Sequence, residues 1–318
     1  FTAVIATSGG PVTVQVGAVI LATGWMPLDE KYLASMGLGV SPKVVHAAQF
    51  GKMLVAGEVT ARRIAFVLDT TLAEEAVRKA AEEAALTPAE AEATRPAPEG
   101  EEGNAKPFVK ENLESIKHLQ YSNAVNSVGM LRLANTICEK TNDATQAFIL
   151  YKDMTVPGIL ERFYKKMQDR LGVMMTKADV TEIRDHGDRM VVACKNTLLG
   201  MDFDLDVDLV VVPTGLVPTT AKDVTVNFGY RQGPDFPDLD LFDGFADSNY
   251  ICFPYETRRT GVYAAGCVRQ PLTMDACEED ARGAVLKAVQ CIEAAEHGVA
   301  VHPRSGDRSY PGALGSEV

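Results

Sequence analysis

The residues with the clearest chemical potential are backbone turns rather than a nucleophile and its base. Three apolar runs stop at small residues: ILATGW ends at Thr23-Gly24-Trp25, LVVVPTG at Thr214-Gly215, and GVYAAGC at Gly266-Cys267. A strand that ends in this way lets the backbone turn sharply at a sheet's carboxyl edge, where open α/β sheets take their ligands. The third turn leads into a long helical pattern, so Thr273 and Met274 bring the N–H groups of a helix N-terminus to the same region. Such an end favours negative charge or a dipole. All three turns are expected to converge on one crevice at the carboxyl rim.

Other reactive groups weigh less. Cysteines stand at 138, 194, 252, 267, 277 and 291, without the CxxC spacing that zinc, iron–sulfur clusters or redox dithiols use. Most are expected to be ordinary thiols of a reducing cytosol. Cys267 is kept for its place in the turn, as an isolated thiol without a resolving partner rather than a redox nucleophile. His46, His118, His186, His297 and His302 show no metal-site spacing, and Ser8, Ser122 and Ser127 lack the G-x-S-x-G elbow of hydrolases. Arg258 and Arg259, beside Glu256, read as a solvated charge cluster with no catalytic role.

The elements that must position these turns follow from periodicity. Residues 1–16 alternate as two strands joined across Ser8-Gly9-Gly10, and the continuous apolar run 18–22 reads as a strand of a parallel sheet. After a polar connection containing Gly37, Gly39 and Pro42, RIAFVL (63–68) opens a new unit. A helix over 72–86 runs into an acidic Ala/Glu/Pro-rich stretch, 87–107, with too little apolar surface to pack and the composition of a mobile loop.

Helices are then predicted over 109–117, 127–140 and 157–171, with strands over 146–151, 173–183, 190–195 and 201–213; Pro157 fits a first helical turn and Gly172 a left-handed C-terminal stop. Alternating strand and helix implies parallel strands with crossovers. A Pro/Asp/Phe-rich loop (229–247), a short apolar run (250–254), the AAGC turn and a helix over 274–295 complete the chain.

A chain of 318 residues, 46% hydrophobic and 23% charged, can bury two moderate cores. A net charge of -12 and a pI near 5.0 argue against nucleic acid or anionic lipid as a partner, because both demand a basic face. Apolar runs are of strand length, so no direct membrane insertion is expected and any membrane link comes through another protein of a complex. The chain starts at Phe1 with a β-hairpin pattern rather than a signal peptide, and is expected to be a portion of something longer.

The motifs ILATGW, VVVPTGLVP and GVYAAGCVRQPLTMDACEEDARGA, in this order and around a nucleotide-binding-like unit, resemble the flavoproteins with two dinucleotide-binding domains. The AAGC turn, with RIAFVLD, YSNAVNS and ILYKDM, is similar to the A subunits of heterodisulfide reductases, and more narrowly to the related B subunits of quinone-interacting membrane-bound oxidoreductases of sulfate reducers. The resemblance implies an α/β fold in which 1–60 and 208–300 form a partial FAD-binding Rossmann-like domain. Residues 61–207 are then an inserted, degenerate NAD-binding-like domain and 301–318 a tail.

The same resemblance implies FAD in the full-length protein, touched by Thr23, Gly24, Trp25, Thr214, Gly215, Gly266, Cys267, Thr273 and Met274, with Trp25 over the adenine or ribose. It implies electron transfer in a cytoplasmic multi-subunit complex with a membrane-bound partner. The family's GxGxxG fingerprint, its cysteine cluster (here Tyr121-Ser122-Asn123-Ala124-Val125-Asn126-Ser127) and its ferredoxin-like motifs are absent from these residues. No iron–sulfur cluster is therefore expected at 121–127. The inserted unit carries Asp69-Thr70-Thr71 where a glycine loop would belong, so NAD(P)H is not expected there. A stand-alone NAD(P)H-dependent disulfide or quinone reductase and a non-catalytic assembly scaffold are the alternatives.

Overall fold

Five apolar runs between residues 44 and 212 hydrogen-bond side by side in parallel. They are β5 (Val44–His46), β11 (Leu209–Val212), β6 (Arg63–Val67), β7 (Gln146–Tyr151) and the first part of β8 (Val173–Asp185). With the antiparallel β9 (Met190–Asn196) and β10 (Met201–Val207) they form a seven-stranded sheet of order β10-β9-β8-β7-β6-β11-β5. Strand β8 belongs to both halves: residues 173–177 run parallel to β7, and from Ala178 the strand pairs antiparallel with β9, with a register shift between Val180 and Glu182. The class is α/β, as predicted.

This sheet lies within one of two compact units, Pro27–Leu216; the other comprises Phe1–Met26 with Val217–Val318. The computed structural model describes residues 1–86, 115–221, 244–246, 255–257 and 261–298. Outside them lie the acidic stretch 87–107, most of the helix expected over 109–117, nearly all of the loop at 229–247, the run at 250–254, Arg258, Arg259, Cys252 and the tail 301–318.

The larger unit is held by the apolar faces of the strands and of α1 (Ala47–Ala56), α2 (Thr71–Leu86), α3 (Asn123–Lys140) and α4 (Glu161–Gln168). Phe50 of α1 meets Phe66 of β6 edge-on at 5.4 Å between ring centroids, and both are fully buried with Ile64, Met130, Leu131 and Ile149 in one cluster. Burial of each such side chain contributes about 1.5–3 kcal/mol. Central strands buried on both faces explain why β6, β7 and β11 read as unbroken apolar runs.

The smaller unit starts with the expected hairpin, β1 (Thr2–Thr7) and β2 (Gly10–Gln15), turning at Ser8-Gly9. It adds two short pairs: β3 (Val19–Leu21) with β13 (Val262–Ala264), parallel, and β4 (Trp25–Met26) with β12 (Val217–Pro218), antiparallel. The helix α5 (Met274–Glu296) packs on the first of them through Ala288 and Cys291 against Tyr263 and Ile20. Among the described residues no helix is long and apolar enough to cross a membrane.

Several expectations differ from the structure. The segment read as a polar connection contains a 3-10 helix (Glu30–Met36), β5 and α1, short elements buried by the sheet and helices they pack against. Residues 27–60 and 208–216 sit with the seven-stranded sheet rather than with the turns at 23 and 266, since β11 pairs β5 on one side and β6 on the other. Gly172 is not a left-handed stop, because α4 already ends at Gln168. Gly172 instead sits in a crowded place: a Cβ would lie 2.6 Å from Asp143 Oδ1, and that carboxylate, which pairs with Arg170, would have to move. Pro157 precedes a short 3-10 turn, Gly158–Leu160, in extended conformation, with φ -77° and ψ 144°.

Candidate functional site

Two of the three turns leave one edge. In the β3–β13 pair, Val19, Ile20 and Leu21 stand opposite Val262, Tyr263 and Ala264, and the N–H of Ala265 donates to Leu21 O at 2.9 Å. Beyond that bond the chains diverge as Ala22-Thr23-Gly24 and Gly266-Cys267. Gly24 and Gly266 both have φ of 74°, in the left-handed region that favours glycine. A Cβ on Gly24 would meet nothing within 4 Å, so the space above this turn is open. Thr273 precedes α5 in extended conformation without a side-chain cap, Met274 is 85% exposed, and Asp275 provides an acidic group in the first turn.

The second turn is held by a residue that sequence reasoning missed. Asp280, buried within α5, accepts the Gly266 N–H at 2.7 Å and the Nε of Arg269 at 3.1 Å on one oxygen, while Arg269 Nη2 pairs with the other. Both side chains are buried, at 5% and 8% exposure. Arg269 also lies 5.0 Å over the ring of Tyr255, whose own φ is 73°. A desolvated pair of this kind contributes little net stability, but removing one member takes a charged partner from a buried group. The signal was available: Asp280 shares the i, i+4, i+8 stripe of Ala284 and Ala288, on a face that otherwise buries small apolar residues.

The first turn is braced by residues just after β12. Thr219 Oγ1 meets Thr23 Oγ1 at 2.6 Å, the Thr219 N–H donates to Gly24 O at 3.2 Å, and Trp25 pairs with Pro218. Trp25 is 38% exposed, so it presents surface rather than filling a core.

Thr214-Gly215 ends β11, in the other unit and on another sheet, so the single rim expected for all three turns is not formed by one sheet. Thr214 is buried and its Oγ1 accepts the Ala48 N–H at 3.1 Å, which satisfies a donor at the start of α1. A Cβ on Gly215 would lie 2.9 Å from Leu28 Cβ. These two residues are engaged in packing.

The reading of Cys267 as a thiol without a partner is corrected. Its Sγ lies 3.8 Å from Cys277 Sγ, ten residues on, because the turn folds Cys267 back onto the first turns of α5. Burial, then Cys267 and Asp280, pushes the Cys277 thiol up to about 11. Among the described residues the five cysteines are free thiols, and no group of three His, Cys, Asp or Glu suited to a metal occurs.

At the rim of the larger sheet, Asp69 follows β6. It is buried, and its two oxygens accept the N–H groups of Thr71 at 3.0 Å and Val180 at 2.9 Å. Thr70 Oγ1 donates to Glu74 Oε1 at 2.6 Å, tying the residue before α2 to its first turn. Asp69, Glu74, Lys152 and Asp153 line a cleft of about 240 Å³ there.

No family model matches the chain. Among curated proteins it is 28% identical over 172 residues to the A subunit of an H(2):CoB-CoM heterodisulfide,ferredoxin reductase from Methanothermobacter thermautotrophicus, which covers 53% of this chain and 25% of that protein. It is 24% identical over 287 residues to an Archaeoglobus profundus protein described as like the A subunit of heterodisulfide reductase (89% of this chain, 38% of that protein). The A subunit of a ferredoxin/F(420)H(2)-dependent CoB-CoM heterodisulfide reductase from Methanosarcina acetivorans is 23% identical over 287 residues, covering 89% and 31%. The chain thus spans between a quarter and two-fifths of the length of these relatives. Thioredoxin reductase of T. acidophilum superposes over 92% of this chain and 72% of its own at 16% identity with a TM-score of 0.43, too low to support a conclusion. The chain is, at 23–28% identity, distantly similar to the A subunits of heterodisulfide reductases.

Proposed function

We propose that this chain forms the FAD-contacting part of a heterodisulfide reductase-like electron-transfer subunit, close to the B subunits of quinone-interacting oxidoreductases of sulfate respiration. On this reading it works in the cytoplasm with other redox subunits, one of them membrane-bound. The observation that carries it is the shared carboxyl edge of β3 and β13, which the chain leaves through two left-handed glycines, Gly24 after one strand and Gly266, ahead of α5, after the other. The distant relatives, all A subunits of redox enzymes or proteins like them, support the same class.

The residues fit a flavin dinucleotide in kind. Gly24 leaves open space for close approach to the backbone, and Trp25 offers exposed aromatic surface. The N–H groups at Thr273 and Met274 favour negative charge by about 0.3–1 kcal/mol at an exposed helix end. Gly266 and Cys267 are fixed in place by Asp280 and Arg269, so the turn is preorganised. FAD, when bound, supplies electron transfer in one- or two-electron steps; the chain's part is to bind, orient and bias the charge beside it.

The NAD(P)H-reductase reading is disfavoured by Asp69 and Glu74, whose carboxylates occupy the amino end of α2, where a pyrophosphate would need N–H donors. Exposed apolar residues of the hairpin, Val4, Ile5 and Val12, favour assembly with other subunits.

The test is flavin content of the full-length protein purified in its complex. We expect stoichiometric FAD with its visible absorbance, and at least tenfold weaker retention, about 1.4 kcal/mol, in Gly24→Val. Absence of flavin from the intact complex would leave only the scaffold reading.

A further inference from the structure

We propose that Cys267 and Cys277 form a redox-active dithiol that closes to an intramolecular disulfide on exchange with a low-molecular-mass disulfide. The inference stands on the thiol geometry and is independent of flavin binding.

Cys267 lies in the 3-10 turn Gly266–Val268 and is buried; Cys277 lies one turn into α5 and is partly exposed. Their sulfurs are 3.8 Å apart, and a disulfide needs about 2.05 Å. Rotation about the cysteine χ1 angles can supply that contraction. The turn that carries Cys267 is pinned to the same helix one turn further on, by the Gly266 N–H and Arg269 on Asp280, so the two thiols are held as neighbours. Cys267 Sγ also donates to Leu272 O at 3.5 Å, a bond that a disulfide sulfur gives up at small cost. No third ligand accompanies the pair among the described residues, which separates it from a metal site.

The exposure difference sets the order of events. The sulfur of Cys277, as its thiolate, attacks one sulfur of the external disulfide RSSR; a Cys277–SR mixed disulfide forms and one RS⁻ leaves, protonated to RSH by the proton Cys277 gave up. The sulfur of Cys267 then attacks Cys277 Sγ, the second RS⁻ departs, and it takes the proton lost by Cys267. The dithiol is oxidised by two electrons, the external disulfide is reduced to two thiols, and no other reactant is needed. Burial disfavours the thiolate of Cys277, so the exchange is slow at neutral pH and selective for prolonged exposure to the oxidant.

The test uses the full chain, reduced and then equilibrated with oxidised glutathione, followed by alkylation and peptide mapping. We expect the loss of two alkylatable thiols and a peptide linked between 267 and 277, reversed by dithiothreitol. In Cys267→Ser, Cys277 should instead stop as a stable glutathione adduct, because the resolving sulfur is gone; circular dichroism checks that this variant is folded. A stable glutathione adduct on Cys277 of the unvaried protein, a link from either cysteine to a different one, or two unreacted thiols at exchange equilibrium would each overturn the proposal. The first and last of these outcomes need no variant.

Discussion

In the unit of Pro27–Leu216, Ile64, Phe66, Ile149 and Leu150 are each at most 1% exposed, whereas in the other unit Val4, Ile5 and Val12 of the hairpin are between 48% and 66% exposed. The larger unit takes its order from a continuous apolar core under a seven-stranded sheet. The smaller unit, among its described residues, has two-stranded sheets, small clusters built on Ala264 and Tyr263, and a buried ion pair. Two-stranded pairs are marginal by themselves. The difference teaches that the proposed site is organised by a few directional contacts, while the unit inserted beside it in the sequence is organised by one continuous apolar core.

That contrast can be broken most sharply at Asp280. Asp280→Ala removes the buried carboxylate that the Gly266 N–H and Arg269 share, at a cost of about 3–5 kcal/mol. The emission of Trp25, the chain's only tryptophan and a member of the smaller unit, should report unfolding at lower urea while the far-ultraviolet signal of the larger unit holds. Phe66→Ala, at a similar cost of about 3–5 kcal/mol, should do the reverse. Coincident loss of both signals in both variants would show that the two units do not unfold separately.

Gly283→Ala probes the same packing more gently. A Cβ there collides with the ring of Tyr255, which must shift from beneath Arg269. A cost of about 1–3 kcal/mol is expected, read as a lower midpoint for Trp25 emission. An unchanged midpoint would mean that Tyr255 plays no part in holding the turn.

The smallest effect belongs to the larger unit. His46 Nδ1 accepts the Gln49 N–H at the start of α1, which requires the neutral ring, and burial holds its pKa below the ordinary 6.5, with Glu30 opposing and Lys52 assisting. The folded state binds the proton less readily than the unfolded one, so the contribution is complete above 6.5 and is lost as pH falls through the folded value. Cap contacts of this kind are worth at most about 1 kcal/mol at a partly exposed site. His46→Asn should flatten the acid side of the stability profile measured by circular dichroism, and an unchanged profile would remove His46 as the cause.

Much of the larger unit was legible because buried parallel strands leave unbroken apolar runs, as in RIAFV and LVVV. What a run does not say is which neighbour it takes. ILATG and VVVPTG look alike, yet β3 pairs with β13 and β11 lies between β5 and β6. The two turns at Thr23 and Gly266 were found because a strand ending in small residues has a local cause. The Cys267–Cys277 approach was not, since it depends on a turn that reverses the chain between them. Gly172 was misread because a glycine in a crowded place and one required by positive φ are the same letter.

Asp69 joins two elements of the larger unit. By accepting two N–H groups, one at the head of α2 and one in mid-β8, a single carboxylate fastens a crossover helix to the strand that carries the sheet from its parallel to its antiparallel half. Losing it would orphan two backbone donors at once, one in each element it joins.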